Sequence, residues 1–76
     1  MGFSRRRRDI RGEVLELLKS MYPDGLTIRE IAEKLRISRS TASKYIAVLE
    51  AEGLIVCRLV GRAKLCRFKG DALKAH

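Results

Sequence analysis

A chain of 76 residues holds one domain, and a domain near this size buries only about 60% of the surface its unfolded chain exposes, which leaves little room for a deep catalytic pocket. The apolar content of 46% is that of a globular protein, and no apolar run approaches the ~20 residues that span a bilayer. Lys and Arg number 17 against 9 Asp and Glu, a net charge of +8, and so basic a domain points to a polyanion, of which nucleic acid is the usual one.

Residues 1–8, with arginine at each of positions 5–8, read as a flexible basic arm. No apolar stretch follows those charges, so the segment is not a secretory signal, and a soluble, cytoplasmic, nucleoid-associated protein is expected. The first helix is expected over about 9–21, because Ile10, Val14, Leu17, Leu18 and Met21 recur on one helical face. Glu13 and Glu16 lie off that face. Tyr22-Pro23-Asp24-Gly25 is a turn signal. Thr27 with Glu30 forms a capping box that opens a second helix, in which each side chain satisfies an orphan N–H. Ile28, Ile31, Ala32 and Leu35 make its buried stripe, and it should stop near residue 35 or 36. Ser38 is a good N-cap for a third helix running to about residue 52, with Ala42, Ile46 and Leu49 inward and Tyr45 beside them. Gly53 is placed to end it, because glycine accepts the left-handed conformation.

After Gly53 the pattern alternates. Ile55, Cys57 and Leu59 share one face of a strand, and Gly61-Arg62 makes a two-residue hairpin turn with glycine first. A return strand over about 63–68 sets Cys57 opposite Cys66 and Ile55 opposite Phe68. The face holding Ile55, Cys57, Leu59, Cys66 and Phe68 is expected to pack on the helices, and Tyr22 and Tyr45 are read as core. Residues 69–76 form a short polar tail in which Asp71 is able to cap one last turn. The chain contains neither Asn nor Gln, and depletion of these thermolabile amides is a trend of proteins from hot environments.

The stretch Thr27-Ile28-Arg29-Glu30-Ile31-Ala32-Glu33-Lys34-Leu35-Arg36-Ile37-Ser38 resembles the first helix and turn of winged helix-turn-helix regulators. Ser38-Arg39-Ser40-Thr41-Ala42-Ser43-Lys44-Tyr45-Ile46-Ala47-Val48-Leu49-Glu50-Ala51-Glu52-Gly53-Leu54-Ile55 resembles their recognition helix and the entry to the wing. Similar stretches occur in MarR-like and ArsR-like regulators and in small archaeal, plasmid and viral transcription factors. The resemblance covers about residues 26–68. It implies a mainly α fold with a small β-hairpin (α+β), three helices plus a two- or three-stranded antiparallel wing. Arg36 stands where the turn of such motifs often has glycine, and the ArsR-like cluster of metal-sensing Cys and His is missing.

A recognition helix places its N-terminal half in the major groove, where every base pair shows a distinct donor–acceptor pattern. With Ala42, Ile46 and Leu49 inward, Arg39, Ser40, Ser43, Lys44 and Ala47 face away from the core and Thr41 lies at the boundary. Arg39 is the first choice for a guanine, since its fork matches the O6/N7 edge. Ser40, Thr41 and Ser43 suit bases or phosphates, and Lys44 a phosphate. The same residues also read as an ordinary solvated helix face. In the hairpin Arg58, Arg62 and Lys64 are candidates for the backbone or minor groove, with Arg62 at the tip, although basic residues on a hairpin also protect a sheet edge from aggregation. Arg29 near the start of the second helix and Arg7 and Arg8 of the arm complete the DNA-binding set. Glu13, Glu16, Glu33 and Glu50 are expected to lie away from the DNA.

Cys57 and Cys66 carry two readings, a pair of buried thiols acting as small hydrophobes or a cross-strand disulfide, as intracellular proteins of hyperthermophiles allow. Together with His76 they are too few for a structural zinc site. No paired-carboxylate, Ser/His/Asp or phosphate-loop signature is present, so an enzyme is not expected, and no cofactor is implied. The expected partner is double-stranded DNA, bound by one chain or by two copies per site. A non-specific architectural binder and a protein–protein module are the other function classes that fit.

Overall fold

A computed structural model describes residues 8–70. The expectations for Arg7 and the rest of 1–7, and for Asp71 and His76, fall outside the described residues. The elements are α1 (Ile10–Met21), β1 (Leu26–Thr27), α2 (Ile28–Leu35), α3 (Arg39–Ala51), β2 (Ile55–Val60) and β3 (Ala63–Phe68). No helix among the described residues is long and apolar enough to cross a membrane.

Each helix starts where a side chain can satisfy its free N–H groups. Asp9 Oδ1 accepts from Gly12 N at the head of α1. Thr27 Oγ1 accepts from Glu30 N at 3.1 Å, and Glu30 Oε1 accepts from Thr27 N at 2.9 Å, which closes the capping box of α2. Ser38 Oγ accepts from Thr41 N at the head of α3. Thr27→Ala should lower stability by about 1 kcal/mol, the usual cost of losing such a cap, and chemical denaturation read by circular dichroism checks it.

The helix ends are equally local. Gly53 takes φ 79° beyond α3, and its N–H and that of Leu54 close back on the carbonyls of Glu50 and Leu49. Arg36 does the same beyond α2 without being glycine, at φ 58° and ψ 49°. There the N–H groups of Arg36 and Ile37 return to Glu33 and Ala32, the pairing of a Schellman motif. The left-handed conformation costs an L-residue about 1–2 kcal/mol.

The sheet order is β1-β3-β2, all antiparallel. The hairpin register is the expected one, with Cys57 opposite Cys66 and Ile55 opposite Phe68. Gly61 has φ 62°, as a turn with glycine first requires. The third strand is β1, which lays Leu26 opposite Cys66 and Thr27 opposite Leu65. The cap residue of α2 is thus also a strand residue, so the sheet sets where α2 begins.

The core lies between the helices and the inner sheet face. It takes Val14 and Leu18 from α1, Ile31 and Ala32 from α2, and Ala42, Ile46 and Leu49 from α3. The sheet adds Leu26, Ile55, Cys66 and Phe68. Two apolar residues depart from expectation. Leu59 shares the inner face of β2 but is 75% exposed, because, among the described residues, the core reaches only the inner half of the hairpin, at Ile55, Cys66 and Phe68. Tyr22 is exposed too, standing edge-on to the Phe68 ring with centroids 6.0 Å apart.

Candidate nucleic-acid interface

Helix α3 is pinned by Ala42, Ile46 and Leu49, all fully buried. Its opposite face is then fixed by helical geometry, and Arg39, Ser40, Ser43, Lys44 and Ala47 are all exposed. Thr41 is half-buried at the boundary. Its hydroxyl accepts from Ser38 Oγ at 2.9 Å, and Ser40 Oγ lies 3.2 Å from the same oxygen. The N-cap serine therefore orients two of the candidate hydroxyls. The Lys44 ammonium lies 5.4 Å over the Tyr45 ring, which lays its stem along the helix.

Two grooves flank the start of α3. One, of about 610 Å³, lies between the heads of α2 and α3 and the wing turn, and Arg29, Arg39, Arg62 and Lys64 line it together with Glu30 and Glu33. The other, of about 510 Å³, lies between α2 and the following turn, and Arg29, Glu33, Arg36, Ile37 and Arg39 line it. Arg29, Glu33 and Arg39 border both. The fold thus brings Arg29, Arg39, Arg62 and Lys64 to one trough, with Ser40, Ser43 and Lys44 along the neighbouring helix face.

The other sequence candidates are placed differently. Arg58 lies on the outer face of the sheet beside Arg67, lining a small cleft that holds none of the trough residues. Arg8 is a clip. Its Nη2 reaches Glu13 Oε1 at 2.6 Å and the Leu35 carbonyl at 2.7 Å, and its Nε reaches both Glu13 oxygens. Arg29 pairs with Glu33 at 3.2 Å and Lys64 with Glu50 at 3.8 Å. Glu33 therefore lines the basic trough, and Glu50 reaches Lys64, one of its lining cations, so neither is remote from it. Among the described residues no acidic side chain pairs with Arg36, Arg39, Lys44, Arg58 or Arg62.

Arg36, which lines the second groove and not the trough, is the interface candidate that sequence reasoning passed over. The signal was there, an arginine in a turn that favours glycine, but it bore on turn geometry until the groove showed what the side chain borders.

Cys57 and Cys66 face each other across the hairpin as free thiols, with Cys57 Sγ donating to Cys66 Sγ at 2.7 Å. The bridge weighed from the sequence is not formed in this structure. Burial pushes both thiols above their ordinary pKa, so thiolate, the reactive form, is scarce near neutral pH.

A family model described as a winged helix-turn-helix domain matches residues 10–62. No curated protein sequence matches the chain. Among solved structures, the Staphylococcus aureus MepR–DNA complex is 27% identical with a TM-score of 0.77, over 88% of this chain and 56% of that one. The PcaV transcriptional regulator of Streptomyces coelicolor, solved with its natural ligand, is 27% identical with a TM-score of 0.75, over 93% and 51%. A possible transcriptional regulator for arsenical resistance is 29% identical with a TM-score of 0.73, over 86% and 65%. The chain spans about half the length of the MepR chains it matches.

Proposed function

The chain belongs to the winged helix-turn-helix family, and from that premise we propose that it binds double-stranded DNA sequence-specifically as a small transcription regulator. The observation that carries this is the outward face of α3, where Arg39, Ser40, Ser43 and Lys44 stand exposed at the head of a helix held rigidly by three buried residues. Small side chains let the helix approach base edges in the major groove, and Arg39 supplies the donor fork for a guanine. Arg62 at the wing turn grips the backbone or enters the adjacent minor groove. A structure of MepR with DNA bound supports this reading for a chain of the same fold.

The regulator acts in the cytoplasm as a repressor or autoregulator, by occupying its site. Two copies bind a palindromic or repeated operator, so that half-site spacing mirrors the symmetry of the pair. The surface of α1 and the residues after β3 are the proposed contact between copies.

The test is a mobility-shift assay on fragments selected from genomic DNA, with excess random duplex, across a salt series. The selected fragment is expected to resist competition by a factor of about a thousand or more, the lower end for specific binders. Equal competition by every sequence at every salt would mean a charge-driven architectural protein instead.

A further inference from the structure

Arg36 is the one described residue other than glycine with a left-handed backbone. A Cβ there crowds its own carbonyl, which is why glycine usually ends helices of this kind. Nothing local accounts for an arginine in its place. The side chain is exposed, and among the described residues it makes neither a hydrogen bond nor an ion pair. The turn is nevertheless closed from both sides. The N–H groups of Arg36 and Ile37 bind back into α2, and the free Leu35 carbonyl takes Arg8 Nη2 at 2.7 Å while Glu13 holds that guanidinium from behind. An adverse backbone persists only where its surroundings over-determine it, and such places cluster at binding sites.

The groove beside this turn is lined by Arg29, Arg36 and Arg39 with Glu33, and it continues into the wing groove through Arg29, Glu33 and Arg39, which border both. A helix in the major groove runs beside phosphate backbone. We infer that Arg36 grips a phosphate beside the start of α3, from the groove that Arg62 and Lys64 do not line, and that the Arg8–Glu13 clip positions the turn that carries the contact. This rests on the DNA-binding reading above and adds to it a contact that reads no base.

Arg36→Gly, Arg36→Lys and the charge control Lys34→Gln, exposed on α2 and outside both grooves, are compared with wild type by melting and by affinity across a salt series. One phosphate contact contributes about 0.9 to the slope of log affinity against log salt, which at 0.1 M is about eightfold in affinity. Arg36→Gly is expected to melt no lower than wild type, bind about eightfold more weakly at 0.1 M salt, and show a slope shallower by about 1. Arg36→Lys is expected to retain the slope, and Lys34→Gln to leave it near wild type. An unchanged slope in Arg36→Gly, or one no shallower than in Lys34→Gln, overturns the contact. A lower melting temperature in Arg36→Gly overturns the argument from an adverse backbone. A wild-type protein that binds no duplex removes the DNA-binding reading and this inference together, whereas specific binding that Arg36→Gly leaves intact removes only the latter.

Discussion

Replacing Arg39 and Lys44 together by alanine is expected to reduce specific affinity by roughly 40- to 1,000-fold at 0.1 M salt. Arg39 supplies the larger part, because a bidentate pair with guanine is worth about 1–3 kcal/mol of discrimination. Lys44 supplies one phosphate, about eightfold at that salt. The two residues are exposed, five positions apart and outside the core, so their effects should add. The single variants separate the roles. Arg39→Ala should relax preference at one base pair, and Lys44→Ala should weaken every sequence alike and make the salt slope shallower by about 1. Stability should move the other way. Arg39 occupies the first position of α3, which has no acidic residue in its first turn, whereas α1 has Glu13 there and α2 has Glu30. A cation at that end opposes the helix dipole by about 0.3–1 kcal/mol, so Arg39→Ala should melt slightly higher while binding worse. Full affinity in the double variant would mean that DNA, if bound at all, meets a different face.

That opposition of sign explains how much of the site was legible in the sequence. The elements were legible because their signals are local. The Thr27–Glu30 box, the Ser38 cap and Gly53 each act within four residues, and the alternation after Gly53 fixes the hairpin register by itself. The outward face of α3 followed from the inward one by period alone. What was not legible depended on length or on partners distant in sequence. Leu59 has the right face of β2 but lies beyond the half of the hairpin that the core reaches, and alternation carries no information about where a layer stops. Arg8 belonged to a basic run, and only the fold brings the Leu35 carbonyl, 27 residues away, within 2.7 Å of it. Glu50 was assigned to a remote face by charge, yet the wing brings Lys64, 14 residues away, within 3.8 Å of it. Net charge states that a polyanion is favoured. Which cations remain free to meet it is a tertiary fact.

Gly25 shows the same limit and carries the second large effect. In sequence it is the last residue of a turn signal, and any turn-compatible residue would satisfy that role. In the structure it passes directly beneath β3. A Cβ at this position would lie against the Cys66 carbonyl oxygen, closer than a carbon can approach it, and 3.0 Å from both the Cys66 carbonyl carbon and Arg67 Cβ. The obstacle is main chain in a central strand paired on both sides, so no side-chain rotation relieves it. Gly25→Ala must push β1 away from β3, which shifts Leu26 out of the core and Thr27 off the register that places it at the head of α2. Overpacking of this kind costs about 1–3 kcal/mol, occasionally more, against roughly 4–11 kcal/mol of total stability for a domain this long. At about 4–8 °C per kcal/mol for a small domain, the variant should melt about 4–24 °C below wild type, and DNA affinity measured well below that melting point should fall too, since α2 and the wing share the displaced strand. A melting temperature within about 2 °C of wild type would show that β1 does not pass beneath β3 as closely as described, and the three-stranded sheet would then reduce to the hairpin alone.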